Sequence, residues 1–503
     1  MPDRVEGDQL SVPRHSLRHR RRRGFVLGLA AAVLAAGALA VYLGTGGSGG
    51  AHAPRPKAQA RPTTTDPTVP PPAPVWRIAW GSAMAWGYGT AANATLRELS
   101  TLEISGSAVR VRISNLFGNQ PLVVGDATAG VDAGGATLTP GTIHQLTFGG
   151  STGTTIPIGG YVYSDPVPMA ASAGQVIATS VYVSNADLMT VHPCCTSTVS
   201  YFTANGAGDL TSDPAQTAFI GSPWPRLVDA VDVLQSSGNG SIVVIGDSIT
   251  DGYHSTARWT DVLQQRIDLL PPADRRAVIN EGITANALTA VVPSDAGDGG
   301  GPPGVTRLTR DALGQSGVTE IVLFLGTNDL YFGAGSAQVI AGLQQAITIA
   351  HQAGVRIVGV TLLPREASIE EAWSPAQQAA LQQVDNWILT SGAFDGVLNF
   401  ATAVADVYDG ACTPTSMFPP YDSGDHLHPN AAGETAMANS VDTTTLDLPA
   451  APTVPPLVAV VPTPGCAGVL GIPSAAGPAP TVPSSTTTST TTTSTTRARS
   501  TTT

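Results

Sequence analysis

Three short polar motifs carry the residue types that acyl-transfer chemistry needs. Gly246-Asp247-Ser248 follows the apolar run Ile242–Ile245, and Gly326-Thr327-Asn328-Asp329 follows Ile321–Leu325. Asp425-His426-Leu427-His428-Pro429 comes just ahead of a helical stretch from Asn430 to Val441. A serine hydroxyl becomes nucleophilic only beside a base, and an imidazole base needs a carboxylate on its other nitrogen to fix its tautomer. Ser248, His428 and Asp425 supply those three groups. Pro429 keeps His428 out of the α region and suits the first turn of the helix that follows, so His428 belongs to a loop. Taken singly, each motif has a plainer meaning. A serine in a strand-to-helix turn caps the helix, an asparagine in such a turn bonds locally, and a histidine before proline is a surface residue. Their joint occurrence at strand ends points to catalysis.

The elements that must position these motifs show two rhythms. From Val75 to about Leu234 the period is two: Val109, Val111 and Ile113 alternate with Arg110, Arg112 and Ser114, and Ile177, Val181 and Val183 share one parity. Turn signals such as Thr139-Pro140-Gly141 recur every ten to twenty residues, which predicts an antiparallel β-sandwich, jelly-roll-like. From Gly240 on, the apolar runs Ile242–Ile245, Ala277–Ile279, Ile321–Leu325, Val355–Leu363 and Val397–Phe400 alternate with helical stretches at Trp259–Leu270, Ala337–Ala353 and Pro375–Leu389. That predicts an α/β region, a three-layer flavodoxin-like parallel sheet covered on both faces. Ligands in such sheets collect at the carboxyl ends of the strands, where two of the motifs fall.

These blocks resemble those of SGNH (GDSL-type) hydrolases over Gly240 to about Leu446. Gly246-Asp247-Ser248 resembles the first block, which makes Ser248 the nucleophile. Gly326-Thr327-Asn328-Asp329 resembles the third, where the asparagine amide donates to an oxyanion, and Asp425-x-x-His428 resembles the fifth, giving carboxylate and base. Asn280-Glu281-Gly282 resembles the second block and would make Gly282 N–H an oxyanion donor beside Ser248 N–H and Asn328. The β-rich segment, and an arginine-rich usage in which Lys57 is the only lysine, are similar to secreted actinobacterial members. The resemblance implies a serine esterase working through an acyl-enzyme, without cofactor or metal. The dipole of the helix after Ser248 would favour the developing charge. Asp247 and Asp329 are expected to hold their turns.

The ends of the chain address where such an enzyme works. The chain has 503 residues and a net charge of −12. Seven arginines against three acids in residues 1–23 leave −16 for the remainder, and an acidic body without a basic stripe argues against nucleic acid as partner. Residues 24–44 hold no charge and at 1.5 Å per residue would span roughly 30 Å, a hydrocarbon core. The flanking arginines orient the N-terminus to the cytoplasm, giving a single-pass anchor with the body outside. Cleavage at or after Ala40 of Ala38-Leu39-Ala40, giving a secreted protein, is the competing expectation. The order is then a basic segment 1–23, an anchor 24–44, a Pro/Gly/Thr-rich linker 45–75, a β-sandwich 76–235, a hydrolase domain 236–449 and a low-complexity tail 450–503.

Four cysteines allow three pairings, and Cys412–Cys466 is the expected one, with the adjacent Cys194 and Cys195 bonded to each other or free. Trp76, Trp80, Trp86 and Tyr88 read as packing rather than a sugar platform, and His192 as a loop residue. The expected substrate is an ester, with an acylated carbohydrate or cell-wall glycan ahead of a lipid or small ester, and the body is expected to be monomeric. Two rivals differ in class. A two-metal phosphoesterase could use Asp425, His426 and His428 but lacks the further carboxylates it needs. An inactive glycan-binding surface protein would have no use for a filled set of catalytic positions.

Overall fold

Alternating valine and isoleucine build the first half as two large antiparallel sheets, with a two-stranded ribbon of Trp86–Tyr88 and Met189–Val191 beside them. The computed structural model describes residues 73–457, except 187, 194–198, 237, 291, 293–299, 366–367, 369–372 and 407–414. The expected anchor at 24–44, the tail beyond 457 and all four cysteines, Cys412 and Cys466 included, lie outside the described residues. Among the described residues no helix is long and apolar enough to cross a membrane. One sheet runs in the order Val75–Gly81, Val228–Gln235, Val109–Ser114, Tyr161–Tyr163. A larger sheet centres on Ala91–Thr101, Val176–Ala186 and Leu122–Gly134. Val109, Val111 and Ile113 from the first and Ile177, Val181 and Val183 from the second are fully buried in one cluster.

The polar partners in the first run are not solvated, as plain alternation would suggest. Arg112 is buried and its Nε donates to Asp229 at 2.6 Å, while Arg110 donates to Asp232 and to Ser316 Oγ, each at 2.9 Å. Ser316 belongs to the second half of the chain. This face of the sheet therefore packs against protein, and its charges are paired across strands.

The second half is a five-stranded parallel sheet. Its strands are β1 (Ser241–Gly246), β2 (Ala277–Gly282), β3 (Val318–Phe324), β4 (Arg356–Val360) and β5 (Gly396–Leu398), in the order β2-β1-β3-β4-β5. That is the doubly wound order, with its crevice between β1 and β3 where the strand order reverses. Its helices include α1 (Ser248–Asp251), α2 (Trp259–Ile267), α3 (Ser336–Gln352), α4 (Pro375–Thr390) and α5 (Ala431–Ser440). Ser374 and Gln377 form a capping box on α4, which explains its sharp start at Pro375. Asn430 caps α5, accepting from Ala432 N and Gly433 N, so Pro429 lies just before the helix rather than in its first turn. The N-terminus of α2 has no cap of its own; Glu434 of α5 accepts from Trp259 N at 2.8 Å and joins the two helices.

Both halves belong to one compact unit. Ile78 and Val231 of the β-rich half share a core with Val243, Ile279 and Leu323 of the parallel sheet. Gly81 is required at the contact, because a Cβ there would lie 2.4 Å from Glu281 Oε1 and 2.7 Å from Ile279 Cγ2.

Candidate active site

β1 ends at Gly246 and the chain turns at once into α1. A side chain at Gly246 would collide with Thr250 Oγ1, 2.1 Å from its Cβ, so the turn needs glycine. Asp247 caps α1 by accepting from Ile249 N at 3.1 Å, leaving Ser248 as the first helical residue. Its N–H has no intrahelical acceptor. Helix α1 is one turn long, so its dipole is small, and the donor it offers is the Ser248 N–H itself.

Ser248 Oγ lies 2.8 Å from His428 Nε2, across 180 residues of sequence. On the other side of the ring, His428 Nδ1 donates to Asp425 Oδ2 at 2.6 Å. Asp425 Oδ1 accepts from Leu427 N and His428 N, each at 2.8 Å, which locks the loop around its own carboxylate. Burial alone would push the Asp425 carboxyl up, but the bonds from His428 and the two backbone N–H groups outweigh it. They hold the carboxyl well below the usual carboxylate range. Asp425 is therefore an ionised acceptor, and the tautomer of His428 is fixed with its Nε2 lone pair toward Ser248. His426 does not join this chain; its Nδ1 bonds Asp422, so His426-Leu427-His428 is no chelating pair.

The oxyanion side differs from the sequence expectation at one position. Asn328 Nδ2 donates to Asn286 O at 2.8 Å, which spends one of its two N–H bonds and fixes the amide. Gly282 is corrected: its N–H donates to Asn280 Oδ1 at 2.9 Å and is not free for a ligand. The glycine is needed because a Cβ there would lie 2.5 Å from Asp251 N, where β2 meets α1. Three residues on, Ala285 has a left-handed backbone at φ 60°, and its N–H donates to no protein atom among the described residues. Ala285 stands between Thr284, tied through N and Oγ1 to Asp251 Oδ2 of α1, and Asn286, tied to Asn328.

Four further residues support the site. Arg307 is fully buried and donates to Gly246 O, Glu281 O, Asn286 Oδ1 and Asp311 Oδ2, so it gathers the ends of β1 and β2 and the Ala285 turn. Asp329 accepts from Leu288 N, Thr289 N and Thr289 Oγ1, holding the turn expected of it. His192 of the β-rich half lies in the loop just after Met189–Val191, as expected, and is buried. Its Nδ1 lies 2.6 Å from Ala83 O and its Nε2 3.3 Å from Asp251 Oδ1. His254 presents Nδ1 to Asp425 Oδ2 at 3.1 Å. One ligand atom each of His254, Asp425 and His428 lies within 4.8 Å of the others, the single such group among the described residues.

A nucleophile, base and carboxylate in line, at the carboxyl edge of a doubly wound sheet, are the geometry of acyl transfer. Residues 244–436 match the GDSL-like Lipase/Acylhydrolase family. The α/β region belongs to that family. This GDSL-like domain is a carboxylic ester hydrolase, the activity class the family carries. No curated protein matches the chain. Solved structures similar to it include a member of the lipolytic G-D-S-L family from Veillonella parvula, 19% identical over 40% of this chain and 94% of that one, with a TM-score of 0.29. A catalytic mutant of an acetylxylan esterase from Geobacillus stearothermophilus is 15% identical over 42% and 96%, with a TM-score of 0.31. A GDSL-like lipase from Bacteroides thetaiotaomicron is 14% identical over 41% and 88%, also at 0.31.

Proposed function

We propose that Ser248, His428 and Asp425 are the catalytic triad of an esterase that works through an acyl-enzyme. The observation that carries this is the unbroken line from Ser248 Oγ through His428 to an ionised Asp425. His428 Nε2 takes the hydroxyl proton as Ser248 Oγ attacks the ester carbonyl. The oxyanion is met by Ser248 N–H, the second N–H of Asn328 and, in place of Gly282, the N–H of Ala285. Each such donor contributes roughly 3–4 kcal/mol to the transition state. His428 then protonates the leaving alcohol, and water repeats the cycle on the acyl-serine. Ser248→Ala should lose nearly all ester turnover and all labelling by a serine-reactive phosphonate, while EDTA leaves the parent active. A Ser248→Ala protein that hydrolyses ester at the parent rate overturns the assignment.

For the substrate we favour an acyl group on a carbohydrate or wall glycan, met outside the membrane by a body anchored through residues 24–44. Aromatic residues on two of the site's elements support this. Tyr253 packs edge-on to His428 at 5.0 Å, and Tyr331 lies in the short helix begun by Thr327 and Asn328. Rings of this kind stack on sugars through an amphipathic face. A panel of p-nitrophenyl esters from acetyl to palmitoyl, run beside acetylated glycans, decides it. A preference for long chains would favour a lipid ester instead, and glycan binding without turnover would favour a passive surface protein. Export is read from cell fractionation, with activity expected in the membrane fraction and lost to protease added outside the cell.

A further inference from the structure

His254 plays no part in the acyl-transfer scheme, yet it is held in place at a cost. It is a non-glycine residue with a left-handed backbone, φ 61°, a conformation that L side chains rarely adopt and that its surroundings must compensate. Its ring stacks on Tyr253 with centroids 4.0 Å apart and planes 19° from parallel. That placement aims Nδ1 at Asp425 Oδ2, the same oxygen that accepts from His428 Nδ1. Two imidazole nitrogens thus converge on one carboxylate oxygen. A borderline divalent metal selects that donor set, two nitrogens and an oxygen with a fourth position open to water.

We propose that His254, Asp425 and His428 form an inhibitory zinc site, and that occupation switches the esterase off. This rests on the triad reading above for its effect on rate, though not for binding. Zinc takes the Nδ1 lone pair of each neutral imidazole and an oxygen of the Asp425 carboxylate. For Nδ1 to bind metal, its proton must move to Nε2, so each ring changes tautomer and no electron is transferred. On His428 that places N–H where the lone pair faced Ser248 Oγ. The serine then has no base to receive its proton, and attack stops. Removal of zinc restores the Nδ1–H bond to Asp425 and with it the base.

The test uses ZnCl₂ with the full chain, comparing the parent with His254→Asn and His254→Gly, two residues that tolerate the left-handed backbone. Ester hydrolysis and phosphonate labelling of Ser248 should both fall at micromolar zinc in the parent and return with EDTA. In both variants the zinc concentration for half-inhibition should rise at least tenfold, whatever their basal rate. Calorimetry of zinc binding to Ser248→Ala protein reads the site without turnover. One zinc per chain is expected there, weakened at least tenfold when His254→Asn is added. Equal zinc sensitivity in parent and variants, or no zinc bound by Ser248→Ala protein, overturns the proposal. A catalytically competent Ser248→Ala protein would instead overturn the triad reading, leaving the calorimetric result to stand by itself.

Discussion

Asn328 is the side chain whose removal isolates oxyanion stabilisation from the triad. It touches neither His428 nor Asp425, and the role proposed for it is electrostatic. Asn328→Ala should lower kcat by about 10²–10³ with KM little changed, since the lost bond forms only as charge develops on the carbonyl oxygen. Equal losses in affinity and kcat would place Asn328 in ground-state binding. Arg307 is the complementary case, a residue that touches no substrate. Arg307→Met would take a donor from Asn286 Oδ1, Glu281 O, Gly246 O and Asp311, of which Asp311 keeps Arg310 and Gly246 O keeps Ile283 N, costing about 1–3 kcal/mol in a denaturant melt. Ser248, Asn328, Asp425 and His428 were legible in the sequence because their types and places at strand ends are rarely assembled by chance. Ala285 was not, because a turn that presents its N–H favours glycine and Gly282 was the glycine available. A positive φ carried by alanine leaves no mark in composition or spacing. Arg307 and His192 were illegible for another reason: their partners are backbone carbonyls and distant acids that only the fold brings near.

The five strands and the longer helices appear where the apolar runs and helical periodicity put them, with ends shifted by at most three residues. Such shifts are set by caps, as at Asn430, rather than by hydrophobic pattern. The turn from β1 into α1 carries a titration as well as a nucleophile. Burial pushes the Asp247 carboxyl up to about 7, with the Ile249 N–H and Arg365 offsetting only part of the effect. In the unfolded chain the same group titrates near 3.8. Between those pH values the folded protein binds the extra proton, so this carboxyl's contribution to stability falls as pH rises through the window and levels off above it. Asp247→Asn keeps an N-cap acceptor for Ile249 and removes the titration. Relative to the parent, the variant should gain stability between about pH 5 and pH 8, with a ceiling on the order of 4 kcal/mol. Taking the difference cancels the other buried acids. A parent–variant difference that stays constant over that range would mean Asp247 is already ionised at its lower end.

At the scale of the whole molecule, the β-rich half is part of the hydrolase rather than an appendage. The sequence suggested two domains because the rhythm changes at Gly240, and periodicity reports local faces without saying what they pack against. Arg112 and Arg110, which alternate with the apolar residues of their strand, are paired with Asp229 and Asp232, and Arg110 reaches Ser316 of the other half. Ile78 N donates to Ser316 O, Arg310 donates to Met84 O, and Ala83 and Ala85 pack on Ile283 beside the Ala285 turn. His192 reaches furthest, since Asp251 links it to α1 and to Thr284. His192→Ala would leave Ala83 O and one oxygen of Asp251 buried and unpaired, a loss of about 1–3 kcal/mol. It should also lower kcat more than it raises KM, because Asp251 positions the serine helix and the Ala285 turn together. The stronger form of the prediction removes the whole half. Residues 236–457 expressed alone would expose Glu281, Ile279 and Ile283 to water and should be insoluble or lack a cooperative melt, and joining them to residues 73–235 should restore both folding and turnover. A soluble 236–457 fragment with parental kcat/KM would show that the shared core is dispensable and that the β-rich half serves some purpose other than building the active site.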